Sequence, residues 1–194
     1  MAARTGVEPF GPQGLGWLAF AWAAQNLVNT FDHADGFVCA LAGVALPPLL
    51  AAPFLGLVPH NLLLRRQGLA GASLARLYLG DSGAHLAGLL MLAVPDARWL
   101  LVLPAFDLAR VAVLRVRAHQ APWLGDRRHL GHRFLASGYE PKIGALAVVG
   151  LALPLAMIPE RGPAFGLSLA LVAFVGAIYL TQPAGPCSDP GAPR

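Results

Sequence analysis

Asn26, Asn29, Asp32 and Asp35 recur every third position where an apolar run ends, in the stretch "NLVNTFDHADG" (26–36). Residues three apart on a helix share a face, so the first three form one polar strip. Two amides and two carboxylates are groups that a hard cation and a nucleotide need. The plainer reading is a water-facing helix end, with Asp35 in a turn. Ionisable groups at membrane depth are costly, however, and serve a pathway, a partner or a site. A second set stands in "YLGDSG" (78–83). Its glycines let backbone approach a ligand, and Asp81 offers an anionic oxygen where a helix begins; an ordinary Asp N-cap accounts for it equally well. The third set is "PWLGDRRHLGH" (122–132). Arg127 and Arg128 suit phosphate through planar, fixed donors, and His129 and His132 could bind phosphate or metal. A solvated basic loop also explains that stretch. Asp107 and Arg110, three apart in an apolar run, read as an intramembrane ion pair.

The elements that must position these residues are apolar. Of 194 residues, 56% are hydrophobic and 12% charged, with a mean hydropathy of +0.59. Soluble domains carry about 25% charged residues. Apolar runs at 36–58, 84–116 (interrupted near Pro95), 143–158 and 165–180 compare with the roughly 17–25 residues that span a bilayer as a helix. The fold class is therefore all-α: a polytopic transmembrane bundle of about six hydrophobic segments, some shortened into hairpins. The net charge of +4 does not point to nucleic acid, because the bases sit between apolar runs. Arg65, Arg66 and Arg76 occupy one connection; Arg115, Arg117, Arg127, Arg128, Arg133 and Lys142 flank or occupy another. Such clusters mark cytoplasmic loops. Cys39 in an apolar run and Cys187 in the tail make no disulfide framework, and no removable signal peptide is visible.

Along the chain, a first helix is expected over 15–31, then a turn at Asp35–Gly36. Two short apolar arms follow, separated by Pro47–Pro48, which cannot continue a regular helix. A polar loop leads into the segment carrying Asp81. The run to Val94 ends at "PDAR" and returns over 99–116, and two helices close the fold. Residues 1–182 read as a single membrane-embedded domain, and the Pro-, Gly- and Ser-rich residues 183–194 as a disordered tail.

The order of these motifs resembles the polyprenyl-phosphate N-acetylhexosamine-1-phosphate transferases, membrane glycosyltransferase family 4. Its members include the phospho-MurNAc-pentapeptide translocase and the undecaprenyl-phosphate GlcNAc-1-phosphate transferases. The family's NAxNxxDGxDG motif matches "NLVNTFDHADG", with His33 in place of the first Gly. Its FLxYNxPPAxxFMGDxGS region resembles "FLGLVPHN" (54–61) joined, after an insertion of about ten residues, to "ARLYLGDSGA" (75–84). Pro104, Asp107 and Arg115 match a following PxxD…R. The GlcNAc branch's PxxxDRxHLHH resembles "PWLGDRRHLGH", with Gly131 where a His is expected.

The resemblance implies a site on the cytoplasmic face of the cell membrane, with Asp81 as a ligand of Mg²⁺. It places Asp35 and Asn61 on the uracil of a UDP-amino sugar, with Tyr78 stacked against it. Asn26, Asn29 and Asp32 line the sugar and pyrophosphate region, and His129, His132, Arg127 and Arg128 hold phosphate. Asp32, Asp81, His129 and His132 are the catalytic set it implies. The implied reaction is attack of a polyprenyl phosphate on the β-phosphorus of the UDP-sugar, releasing UMP, in cell-envelope polysaccharide or peptidoglycan synthesis.

Two departures stand out. The family carries an adjacent Asp-Asp pair well upstream of the polar strip, whereas the residues before Asn26 hold one acid, Glu8. The expectation is a fragment of a longer enzyme or a short homologue. The alternative function is a non-catalytic membrane homologue that binds nucleotide sugar or polyprenyl phosphate, or scaffolds a partner. A homo-oligomer or a partner chain would supply the missing helices. Second, Asp35 and Asn61 are closer in sequence than two full crossings require. Arms of about 11 residues reach ~17 Å, against a hydrocarbon core of about 30 Å. A short hairpin tipped by Pro47–Pro48 keeps both residues on one side.

Overall fold

The computed structural model describes residues 11–32, 34–67, 73–75, 77–121 and 127–181. His33, Arg76, the stretch 122–126 and the tail expected at 183–194 lie outside the described residues.

Helix α1 (Pro12–Phe31) opens on proline, whose missing N–H costs nothing at a first helical position. It begins three residues before the expected start at 15 and closes at Asp32, whose N–H bonds the Asn29 carbonyl at 3.2 Å. Gly36 then adopts φ 82°, a left-handed conformation that a side chain disfavours. A Cβ there would also meet Leu62 Cδ2 at 2.8 Å. That turn feeds α2 (Phe37–Ala45), which reverses at Leu46–Pro47 into α3 (Pro48–Val58). With 9 and 11 residues, these arms reach only ~14 and ~17 Å. The expected short hairpin is present.

Helix α3 runs on into a wider π-type turn, Pro59–Leu63. Strands β1 (Arg65–Gln67) and β2 (Ser73–Ala75) follow as an antiparallel pair, with Arg65 opposite Ala75 and Gln67 opposite Ser73. Among the described residues the rest of the regular structure is helical, as expected, and this short pair is a local addition to it. It lies in the segment inserted relative to the family pattern, where a polar excursion pairs its backbone groups with one another. Next come α4 (Gly80–Ala93), a 3₁₀ segment (Asp96–Leu101), α5 (Val102–Arg117), α6 (Leu130–Ala136), α7 (Pro141–Ala156), α8 (Ile158–Arg161) and α9 (Pro163–Leu180).

Helix α1 lies along α4, so closely that a Cβ on Gly88 would stand 2.5 Å from the Ala24 carbonyl oxygen. Small residues permit such close backbone approach between packed helices. Helix α2 packs on α3 and α7, and α7 on α9, around a core of Phe37, Leu41, Met91, Leu100, Leu103, Val148 and Leu155. Among the described residues, Pro141–Arg161 (21 residues) and Pro163–Leu180 (18 residues) are long and apolar enough to cross a membrane, and Pro48–Leu63 is a shorter apolar helix. The outer surface is apolar as well: Leu15, Leu18, Phe20 and Trp22 on α1, and Val172, Tyr179 and Leu180 on α9, are exposed. Contiguous apolar surface of this kind marks contact with lipid or another protein.

The alternation of helices gathers the end of α1, the π turn, the start of α4, the end of α5, α6 and the start of α7 at one end of the bundle. The opposite end carries the α2–α3 reversal, the 3₁₀ segment and α8.

Candidate functional site

The gathered end encloses a half-open cavity of about 750 Å³. Its wall joins Asp32, Asp35, Gly36 and Cys39 from the α1–α2 turn, Asn61 and Leu62 from the π turn, and Tyr78 and Leu79 from the approach to α4. Leu135, Glu140, Pro141 and Lys142 complete it from the α6–α7 segment. Asp35 and Asn61 therefore share one cavity, as the short hairpin requires.

Asn61 is the buried pivot of the wall, 2% exposed. Its amide Nδ2 donates to the Leu77 carbonyl, and its Oδ1 lies 3.5 Å from Cys39 Sγ. One side chain thus ties the π turn to α2 and to the strand of chain that carries Tyr78. The π turn matters here, because its wider winding re-aims a side chain that a regular helix would direct elsewhere. Tyr78 is 57% exposed, with its ring on the cavity surface.

Asp32 lies just past the end of α1. Its carboxyl is pushed up from 3.8 to about 6, first by burial and then by the charges of Asp35 and Asp81. Asp81 sits exposed in the first turn of α4, outside the cavity wall, close enough for its charge to act on Asp32. No group of three or more His, Cys, Asp or Glu side chains among the described residues is arranged to hold a metal by itself. Magnesium, however, is commonly held by one or two carboxylates together with substrate phosphates and water. The mutually repelling Asp32 and Asp81 fit that donor chemistry.

The polar strip is divided. Asn26 donates Nδ2 to the Trp22 carbonyl one turn back, at 2.7 Å, and neither it nor Asn29 is in the cavity wall. The third motif forms a separate cluster behind the cavity residues of α6. Asp107, 1% exposed, accepts from Arg110 Nη2 at 2.9 Å, from the Leu130 N–H at 3.1 Å, and pairs with His129 Nδ1 at 2.9 Å. The expected Asp107–Arg110 pair is present; the His129 contact was not foreseen. Arg128 bonds the Gln120 side chain, His132 is half-buried, and Arg127 is exposed. Among the described residues, none of these four reaches the cavity wall.

Arg133, read from the sequence as part of a basic loop, is buried in α6. Its Nε donates to Thr181 Oγ1 at 3.1 Å and its Nη2 to the Ile178 and Thr181 carbonyls, anchoring α6 to the end of α9. Sequence reasoning also missed Cys39, Glu140 and Lys142 as wall residues. Lys142 is the one lysine of the chain, a composition signal that could have drawn attention to it.

No protein-family model matches the sequence, and no solved structure matches it. A curated protein does: the decaprenyl-phosphate N-acetylglucosaminephosphotransferase of Mycobacterium leprae (strain TN) is 29% identical over 133 residues, covering 56% of this chain and 31% of the relative. The match thus spans about a third of the length of that relative.

Proposed function

We propose, from the similarity to a decaprenyl-phosphate N-acetylglucosaminephosphotransferase, that this chain is a distant relative of the polyprenyl-phosphate N-acetylhexosamine-1-phosphate transferases and that its cavity binds a UDP-amino sugar for transfer of the sugar phosphate to polyprenyl phosphate. The observation that carries the reading is the meeting of Asp32, Asp35, Asn61 and Tyr78 in one half-open cavity, although three separate chain segments supply them. In this reading Asp35 and Asn61 bond the uracil edge and Tyr78 covers its face. Asp32 lies toward the sugar and diphosphate; Asn29, His129, His132, Arg127 and Arg128, which the resemblance assigns to sugar and phosphate, stand outside the described cavity wall. A phosphate oxygen of the lipid bonds to the β-phosphorus as the bond from that phosphorus to the UMP oxygen breaks, and UMP leaves. Asp81, with the charge-coupled Asp32, would hold Mg²⁺, which would supply neutralisation of charge on the diphosphate.

The distribution of bases supports a position in the membrane. Arg115, Arg117, Arg127, Arg128 and Lys142 stand at the cavity end, whereas Arg98 and Arg161 at the other end are matched by Asp96 and Glu160. That bias supports a multi-pass arrangement with the cavity toward the cytoplasm. An apolar groove of about 370 Å³ between α7 and α9, bordered by Tyr139, Ile143, Ala147 and Ala177, gives a lipid chain a surface near the cavity.

A second reading, nucleotide-sugar binding without transfer, is favoured by one observation: His129 is buried against Asp107 and does not line the described cavity wall. Calorimetry on the detergent-solubilised chain tests the shared part of both readings. Asp81→Ala lowers UDP-GlcNAc affinity and removes its dependence on Mg²⁺, and Tyr78→Ala weakens UDP and uridine alike by roughly 1–3 kcal/mol. Equal binding of UDP-GlcNAc by wild type and Asp81→Ala, with and without Mg²⁺, overturns the metal assignment. UMP release in the presence of undecaprenyl phosphate separates transfer from binding alone.

A further inference from the structure

We propose that Lys142 is the cavity's contact for a phosphate group, and that Glu140 is a built-in competitor for it. Among the described residues, the ionisable side chains of the wall, Cys39 and Tyr78 aside, are the acids Asp32, Asp35 and Glu140 and a single cation, Lys142. A phosphorylated ligand entering this acidic space needs a cationic partner on the wall itself. Three neighbouring arginines are engaged elsewhere, Arg110 with Asp107, Arg128 with Gln120, and Arg133 with Ile178 and Thr181, and Arg127 does not line the wall. Lys142 is held differently. Its Nζ lies 2.5 Å from Glu140 Oε2, with the two side chains 51% and 65% exposed.

A pair this exposed contributes little net stability, because water screens it and both long side chains give up freedom to form it. Its partners therefore exchange readily. A lysine ammonium is a compact charge with three rotatable donors on a flexible stem, suited to leaving one oxygen for another. Between the two residues stands Pro141, whose ring fixes φ at the start of α7, so both side chains are launched from a stiff base at the cavity edge. Ligand-free, Glu140 occupies the ammonium; ligand-bound, a phosphate oxygen takes its place and Glu140 turns to solvent. The phosphate can come from the diphosphate of a nucleotide sugar or from the head of a prenyl lipid. The assignment rests on the reading above only for the carrier of that phosphate.

The test uses the full 194-residue chain in detergent, with inorganic diphosphate, UDP, uridine and farnesyl phosphate as probes. Lys142→Gln weakens diphosphate binding about tenfold, as loss of one charge-assisted hydrogen bond predicts, and leaves uridine unmoved. Lys142→Arg retains most of the affinity. Glu140→Gln tightens diphosphate binding several-fold in wild type and has no effect in the Lys142→Gln background, which a merely structural role would not produce. Beside the loss of diphosphate affinity, a loss that extends to UDP and spares farnesyl phosphate assigns the nucleotide as carrier, and one that extends to farnesyl phosphate and spares UDP assigns the lipid. Diphosphate affinity unchanged in Lys142→Gln, or no diphosphate binding by wild type, overturns the proposal. Lys142-dependent diphosphate binding without uridine binding upholds Lys142 and removes the nucleotide-sugar reading. Uridine binding that depends on Tyr78, beside a silent Lys142→Gln, does the reverse.

Discussion

The two ends of the bundle are built on different principles. At the cavity end, polar side chains join elements distant in sequence: His129 to Asp107, Arg133 to Thr181, and Asn61 to the Leu77 carbonyl. These bonds fix reversals that a cavity of about 750 Å³ keeps apart. At the opposite end the chain turns tightly through Leu46–Pro47, Pro95 and Gly162, where Arg98 combines one local bond with one long-range ring contact. Arg98 donates Nε to the Leu92 carbonyl six residues back, at 2.6 Å, and lays its guanidinium 5.5 Å from the Trp17 ring. The difference explains how a shortened hairpin is tolerated. Arms of 9 and 11 residues in α2 and α3 draw the far tip inward, while the bonds that define the site all lie at the end where those arms begin and finish.

The largest effect that could sharpen this contrast belongs to Asp107. Its carboxylate is buried and receives Arg110, His129 and the first N–H of α6. Asp107→Ala leaves the partly buried Arg110 without its counter-charge and the Leu130 N–H without its acceptor, a change that costs up to about 3–5 kcal/mol. The expected outcome is a large fall in the thermal midpoint of the detergent-solubilised chain, larger than for His129→Ala, which removes one donor and keeps the Arg110 pair. An unchanged midpoint in Asp107→Ala would break the comparison, since the long-range bonds at the cavity end would then not hold the fold.

What could be seen in the sequence follows the same division. The far tip was legible because its cause is local: two adjacent prolines stop a helix wherever they occur. The sharing of one cavity by Asp35 and Asn61 was legible too, because arm length alone excludes two full crossings. The antiparallel pair Arg65–Gln67 and Ser73–Ala75 was not, since these short strands belong to a polar insertion without a sustained alternation. The His129–Asp107 contact spans 22 residues and depends on where α6 docks. Arg133 reads as a loop base in isolation, and only the end of α9 supplies the acceptors that bury it. Lys142 was counted among the basic connections; its place in the wall depends on how α7 begins against the α1–α2 turn, which no local pattern encodes.

The second effect, intermediate in size, is a pH dependence centred on Asp32. Its carboxyl is raised from 3.8 to about 6 by burial, then Asp35, then Asp81, with Glu140 and Lys142 elsewhere on the wall. The folded chain thus holds this proton more tightly than the unfolded chain. Its contribution to stability is fully present below the unfolded value and is lost as pH rises through about 6. Binding of a cation–diphosphate pair beside Asp32 favours the ionised form and expels the proton. Mg²⁺-supported UDP-GlcNAc affinity therefore falls by up to about tenfold per pH unit below that value, and Asp35→Asn moves the break to lower pH. Affinity that stays flat between about pH 5 and 7 would detach the carboxylate cluster from the ligand site.

The smallest effect is expected at the far tip, and it tests the other half of the contrast. Arg98→Ala removes a guanidinium from the half-exposed Trp17 ring, an interaction worth about 0.5–1 kcal/mol at such a site. The lost bond to the Leu92 carbonyl adds a contribution of about 0.5–1.5 kcal/mol. The thermal midpoint should drop slightly, and UDP-GlcNAc and diphosphate affinities should match wild type. Helix α1 is the physical link that could make this wrong: Trp17 lies near its beginning and Asp32 caps its end. A fall in ligand affinity on Arg98→Ala would mean that loosening the start of α1 displaces Asp32, and the far tip would then help to set the cavity's geometry.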